Sequence, residues 1–293
     1  MRLSTCPKVL IRQAVRIITI LITMKSEDMS VYVKKVKLRN ILKNSLRGGK
    51  MHVADVMIKA MAMQIEDGDV FLHGLASPLP ALAMHLAKMT HAPNMVYLSV
   101  AEGLDPDPER YRLHPCSADP RHTNGCIGIV ELLETFDLAN KGLLTGMFLG
   151  GAQIDKFANI NLTCIGSYEK PKVKLPGGAA TAFLTPIVKK LVIWTTNHSK
   201  RVFVENLDFK TGIGYQEGKK TVVVTDKAVF EATRDGLKLI SIHPGVTLED
   251  VIENMSFEPI VEDYGTTPTP TDVELKLIEK LDPDNVRFSE FKR

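Results

Sequence analysis

The feature that most restricts what this chain can fold into is the alternation of two hydrophobic periods between residues 53 and 100. Val53, Val56, Met57, Ala60 and Met61 recur at helical spacing, the apolar stripe of an amphipathic helix. Glu66-Asp67-Gly68-Asp69 interrupts it, and Val70-Phe71-Leu72 reads as a short buried strand. After Gly74-Leu75-Ala76-Ser77-Pro78, helical spacing returns at Leu79, Leu82, Ala83, Leu86 and Met89, and residues 95–100 form a second apolar run. Strands separated by a helix pair in parallel through a crossover, not as a hairpin. The expected class is therefore α/β, an open, mostly parallel sheet with flanking helices.

The remainder adds strands more than helices. Residues 201–204, 221–225 and 239–242 are rich in β-branched and aliphatic residues and read as strands, and an apolar run surrounds the sole tryptophan, Trp194. Residues 127–138 have a helical period. Thr247, with Glu249 and Asp250 behind it, marks another helix start. A Thr-Pro linker at 266–270 leads to a last helix over 272–281, expected to pack on the body or on a partner. The expected division is an extension or mis-assigned start over 1–29, one α/β domain over 30–265, and a linker with C-terminal helix over 266–293. Short as it is, the apolar block at 17–24 has basic residues ahead of it like a signal peptide, but no small-residue cleavage site follows.

Charge and cysteine usage remove several function classes. The formal charge of +3 resides in the first 29 residues, so the rest of the chain is formally neutral, which argues against a nucleic-acid partner. No apolar run is long enough for a membrane span. The cysteines Cys6, Cys116, Cys126 and Cys164 form no C-x-x-C pair, so free thiols, no metal site and a reducing, cytoplasmic location are expected. The basic stretch 31–50 reads as a solvated face.

The candidates for chemistry lie in the loops. Gly74 to Pro78 leaves a strand and enters a helix, so its amides could face an anion; the plainer reading is Ser77 as N-cap with Pro78 at the first helical position. Gly177, Gly178 and Ala179 allow close backbone approach to a ligand or form a tight turn. Gly150-Gly151 reads as a bend. Glu102, before Gly103, follows the 95–100 run and sits where open parallel sheets bind ligands, although an exposed loop glutamate is the commoner case. His73 reads as a hydrogen-bonded core residue and His243 as a turn residue. No nucleophile elbow or metal-type histidine spacing occurs.

Several segments together resemble the β subunit of family I CoA transferases, the glutaconate CoA-transferase group in particular. They are Gly150-Gly151-Ala152-Gln153-Ile154-Asp155-Lys156-Phe157-Ala158-Asn159-Ile160-Asn161, the loop Pro176-Gly177-Gly178-Ala179-Ala180, Arg201-Val202-Phe203-Val204-Glu205, Val224-Thr225-Asp226 and His243-Pro244-Gly245-Val246-Thr247. Residues 200–283 look most like the small subunits of hydrolases that open a cyclic diketone CoA thioester during steroid-ring breakdown. The resemblance implies a larger α subunit as obligate partner, an acyl-CoA thioester as substrate with no bound cofactor, and an active site between the subunits. Gly74, Ser77, Gly103, Gly177, Gly178 and Ala179 are the expected pocket residues.

In transferases of this family a β-subunit glutamate attacks the thioester, and the acyl group and CoA exchange through an anhydride and a glutamyl-CoA thioester. That glutamate normally stands two residues before a glycine. Here Ala101 has that position and Glu102 is one residue late; adjacent residues of an extended segment point to opposite sides. The first expectation is a CoA-transferase β subunit with Glu102 as nucleophile. The alternative is a hydrolase β subunit with water as nucleophile and none from this chain. A third is a non-catalytic scaffold completing its partner's pocket. A sugar-phosphate-sensing domain of similar architecture lacks the G-G-A-Q-x-D string.

Overall fold

The computed structural model describes residues 51–117 and 119–291, so the expected extension over 1–29 and the basic stretch 31–50 lie outside the described residues. Helix α1 (Val53–Ala62) buries the predicted stripe, and the amide of Ala54 donates to His52 Nδ1 at its start. Strand β1 (Val70–His73), helix α2 (Pro78–Thr90) and strand β2 (Val96–Ser99) follow as expected, with β1 and β2 parallel from Val70↔Val96 to His73↔Ser99. The chain then turns back into β3 (Gly103–Leu104), antiparallel to β2, and reaches β4 (Gly128–Ile129) and helix α3 (Leu132–Asn140). The helix expected over 127–138 is thus split. Ile127 to Val130 joins the sheet edge, and Glu131 accompanies the true helix start, its amide donating to Glu134 Oε2 at 2.8 Å.

Strand β5 (Gly146–Gly150) returns on the other side of β1. An excursion carries two small ribbons, β6 (Gln153–Ile154) with β7 (Ile160–Asn161) and β8 (Cys164–Gly166) with β9 (Pro171–Lys174), then the short helix α4 (Thr181–Leu184). Parallel strands β10 (Lys190–Trp194) and β11 (Lys220–Val224) extend the sheet. The antiparallel pair β12 (Ala228–Ala232) and β13 (Leu237–Ile242), helix α5 (Leu248–Ile252) and edge strand β14 (Gly265–Thr266) complete it. The ten strands are ordered β14-β13-β12-β11-β10-β5-β1-β2-β3-β4, with the five central strands parallel. Residues 201–204 are not a strand; Phe203 makes an isolated parallel bridge to Ile154 because its partner β6 is only two residues long.

Strand alternation divides the interior into two cores. Phe71, Tyr97, Phe148, Val192, Trp194, Val222 and Val224 face α1 and α2, while Leu72, Leu98, Met147, Leu149, Ile193 and Val223 face the layer carrying β6, β7 and α5. The last helix, α6 (Asp272–Leu281), starts at a capping box of Thr271 and Glu274 and packs on the body, with Ile278 and Leu281 in the first core. A final 3₁₀ segment brings buried Arg287 between Asp55 of α1, at 2.8 Å, and Asp282, at 2.9 Å.

Candidate active site

Strands β1 and β5 are neighbours, yet the chain leaves β1 toward β2 on one side and leaves β5 toward β10 and β11 on the other. Such a reversal opens a crevice beyond the carboxyl ends of the strands, where open α/β sheets bind ligands. His73-Gly74, the turn 99–102 and Gly150-Gly151 stand at these ends.

The turn after β2 is tightly specified. The Glu102 amide donates to Ser99 O at 2.9 Å and the Ala101 amide to Ser99 Oγ at 3.0 Å. Glu102 is exposed and has φ +65°, a left-handed conformation that non-glycine residues rarely hold. Its carbonyl accepts from the Val130 amide at 2.9 Å, and its Oε1 accepts from the Leu132 amide at 3.4 Å. Both groups therefore engage the β4–α3 segment, and neither bonds to the 176–180 loop. Gly103 is buried against Cys126, whose Sγ would lie 2.7 Å from an added Cβ. It is a packing position, where any side chain would collide with the thiol.

The Gly74 loop differs from its expected form. Ser77 is buried, but its hydroxyl donates to Leu75 O at 3.1 Å instead of capping α2. The Ala76 amide donates to Ser117 Oγ at 2.7 Å, and Gly74 O accepts from His73 Nδ1 at 3.0 Å. Pro78 and Pro80 occupy the first and third helical positions. Proline has no N–H, so Leu79 alone among these three could offer an amide to an anion, and the helix start is a poor phosphate cradle.

The 176–180 loop fits a ligand better. Gly177 has φ +102° and donates to Leu162 O at 2.8 Å; Ala179 has φ +42°. Gly178 lies against Thr211, whose Cγ2 would be 2.6 Å from an added Cβ. The next three amides, of Gly178, Ala179 and Ala180, donate to nothing among the described residues. Consecutive free amides with alternating backbone handedness form an anion-binding concavity, and such donors stabilise a developing oxyanion. The sequence marked these residues by size; it did not show that their amides are free.

The Gly-Gly-Ala-Gln string is an internal brace. Gln153 Nε2 donates to Asp208 Oδ2 at 2.9 Å and its Oε1 accepts from Asn161 Nδ2 at 2.7 Å. Asp155 Oδ1 accepts from the amides of Phe157 and Asn159. Asn159 Oδ1 accepts from the Gly214 amide at 3.1 Å. These polar groups are spent on one another, so the string fixes the layer beneath the 176–180 loop.

Sequence reasoning missed a buried row of rings running from the end of β1. His73 contacts Tyr97, Tyr97 contacts His85, and His85, Tyr111, His122 and His114 follow, with centroids 4.0–5.4 Å apart. Burial lowers the His73 pKa to about 4 and that of His85 to about 3, the latter helped by neighbouring cationic groups. The one available signal was His85 sharing a helix face with Leu82 and Met89. His243, expected in a turn, is buried, and its Nδ1 meets Thr267 Oγ1 at 2.8 Å. Among the described residues no group of three or more His, Cys, Asp or Glu could hold a metal ion, and no helix is long and apolar enough to cross a membrane.

Residues 54–254 match the family model described as Coenzyme A transferase. The B subunit of the 3-oxoadipate CoA-transferase of Pseudomonas knackmussii is 32% identical over 254 residues, covering 78% of this chain and 92% of that protein. The cholesterol ring-cleaving hydrolase IpdB subunit of Mycobacterium tuberculosis is 27% identical over 255 residues, covering 82% and 98%. The crystal structure of the decarboxylase AibA/AibB matches with a TM-score of 0.76 at 30% identity, covering 81% of this chain and 98% of that one.

Proposed function

The chain belongs to the coenzyme A transferase family, and from that membership we propose that it is the B subunit of a heteromeric enzyme that adds water to an acyl-CoA substrate, with no covalent nucleophile of its own. One observation carries this reading. The position two before Gly103 is Ala101, and the neighbouring Glu102 carboxylate accepts from the Leu132 amide at the head of α3. A carboxylate oxygen tied to a backbone amide is a weaker nucleophile than a free, desolvated one. The free amides of Gly178, Ala179 and Ala180 support a role in stabilising the oxyanion formed when water attacks a carbonyl. The likeness to the IpdB subunit over 98% of its length supports the hydrolytic reading.

An A-type partner would supply the base that activates the water. Ile127, 76% exposed, and Leu133, 72% exposed, flank the stretch that bonds to Glu102; exposed apolar side chains of that kind suit a protein interface. The chain purified alone is expected to be inactive.

A second reading has its own support. Backbone strain collects at functional positions, Glu102 is such a position at φ +65°, and the 32% identical relative belongs to a transferase. In that reading Glu102 attacks the thioester. One experiment separates the two. The heteromer is incubated with acyl-CoA in ¹⁸O-water, trapped with borohydride or hydroxylamine, and its peptides weighed. Hydrolysis predicts ¹⁸O in the product, an unmodified Glu102 peptide and a Glu102→Ala variant within a few-fold of wild type. A modified Glu102 peptide, with loss of turnover in Glu102→Ala, would overturn the hydrolytic proposal.

A further inference from the structure

The β8–β9 ribbon does little to hold the fold together. All four β9 residues are exposed, and Cys164 is its one buried residue. A lone two-stranded ribbon has marginal stability in water; this one is hydrogen-bonded to the body at its base. There Asn161 Nδ2 donates to Cys164 O at 2.6 Å and the Leu175 amide donates to Thr163 O at 3.1 Å.

Its outer surface is basic and aromatic. Lys170, Lys172 and Lys174 are exposed and form no ion pair among the described residues. The ribbon's one carboxylate, Glu169, is engaged by Ser167 Oγ at 2.5 Å. At the tip Tyr168, 63% exposed, stacks on Phe209 with centroids 5.2 Å apart and planes at 27°. Phe209 follows Asp208, which is held by Gln153, so the brace described above anchors this ring pair. The return strand runs directly into the 176–180 loop. Gly178 is four positions beyond Lys174, at most about 14 Å of extended chain, a span the pantetheine chain between thioester and pyrophosphate can bridge.

We propose that this ribbon is the recognition arm for the phosphorylated adenosine end of the coenzyme A thioester, with Lys170, Lys172 and Lys174 meeting its phosphates and the Tyr168–Phe209 pair receiving the adenine. The proposal rests on the acyl-CoA reading above. Lysines act on phosphate as point charges, and an exposed aromatic face stacks a base without reading its identity. Since these charges are exposed, their contribution should weaken as salt rises.

The test uses the heteromer and two thioesters with the same acyl group, one on coenzyme A and one on pantetheine. For K172E/K174E, KM for the coenzyme A thioester is expected to rise at least tenfold, with kcat/KM for the pantetheine thioester within twofold of wild type. K172R/K174R should restore KM, and Tyr168→Ala should raise it several-fold. Unchanged discrimination between the thioesters in K172E/K174E, or equal loss on both, would overturn the assignment. Because these residues are exposed, matching thermal melts will confirm folded variants. If wild type itself turns over no coenzyme A thioester, the acyl-CoA reading fails; if it prefers coenzyme A and K172E/K174E keeps that preference, only the ribbon assignment fails.

Discussion

Two groups of buried histidines lie at different ends of the sheet, and they are built on opposite terms. Near β11 to β14, His198 Nε2 donates to Val251 O at 3.0 Å and its Nδ1 meets Thr225 Oγ1 at 3.0 Å. His243 Nε2 donates to Thr225 O at 2.8 Å, so its Nδ1 must accept from Thr267, which in turn accepts from Ser241. Every ring nitrogen there has a partner. By β1 and β2, His73 Nε2 and both His85 nitrogens make no hydrogen bond among the described residues, and the Tyr97 and Tyr111 hydroxyls interact with each other without forming a well-aligned bond. Beyond the bond from His73 Nδ1 to Gly74 O, those side chains are held by ring contacts. The first group locks the fold; the second subtracts stability just behind the strand ends that form the crevice, since each orphaned buried polar group costs about 1–3 kcal/mol.

Acid should strain both groups most. Burial lowers the folded pKa of His73, His198 and His243 to about 4 and of His85 to about 3, against roughly 6.5 in the unfolded chain. Above pH 6.5 these rings are neutral in both states and their contribution is fully present. As pH falls from there toward 4, the unfolded chain takes up protons that the folded chain refuses, and stability is lost by roughly a kcal/mol or more per pH unit per ring. Urea midpoints measured from pH 7 to pH 5 should fall steadily; a flat profile would contradict the neutral buried rings.

Substitution then separates the groups. His243→Phe leaves the Thr225 carbonyl without this donor and Thr267 Oγ1 with Ser241 as its remaining partner, and urea denaturation should show a loss of about 2–4 kcal/mol. The smallest effect has the opposite sign. Tyr97→Phe with Tyr111→Phe deletes two buried hydroxyls that have no well-aligned hydrogen bond, and a gain of about 1 kcal/mol is expected. A loss in that double variant would mean that the row is internally bonded and that the contrast between the two groups is unfounded.

The periods of α1, β1, α2 and β2 were legible because each repeats within a few residues, as was the Thr247 start of α5. What was hidden depends on partners far along the chain. Ser77 has the composition of a cap, but its hydroxyl turns back to Leu75 while Ser117 binds the adjacent amide. Residues 127–130 have a helical period but lie beside β3, a pairing no local window reveals. The family string was readable as a string, yet its work is bracing, through Asp208 and Gly214, each 55 residues away from the side chain that holds it. For the candidate site, the small residues at 177–179 were visible and the freedom of their amides was not.

The clamp that closes Arg287 onto Asp55 joins positions 232 residues apart. While the polypeptide is being synthesised, Asp55 therefore emerges long before the guanidinium that will cover it. A buried carboxylate left without its cation is strongly destabilising, and contacts this distant are slow to close. Helix α1 therefore acquires the cation that neutralises buried Asp55 only after residue 287 has been synthesised.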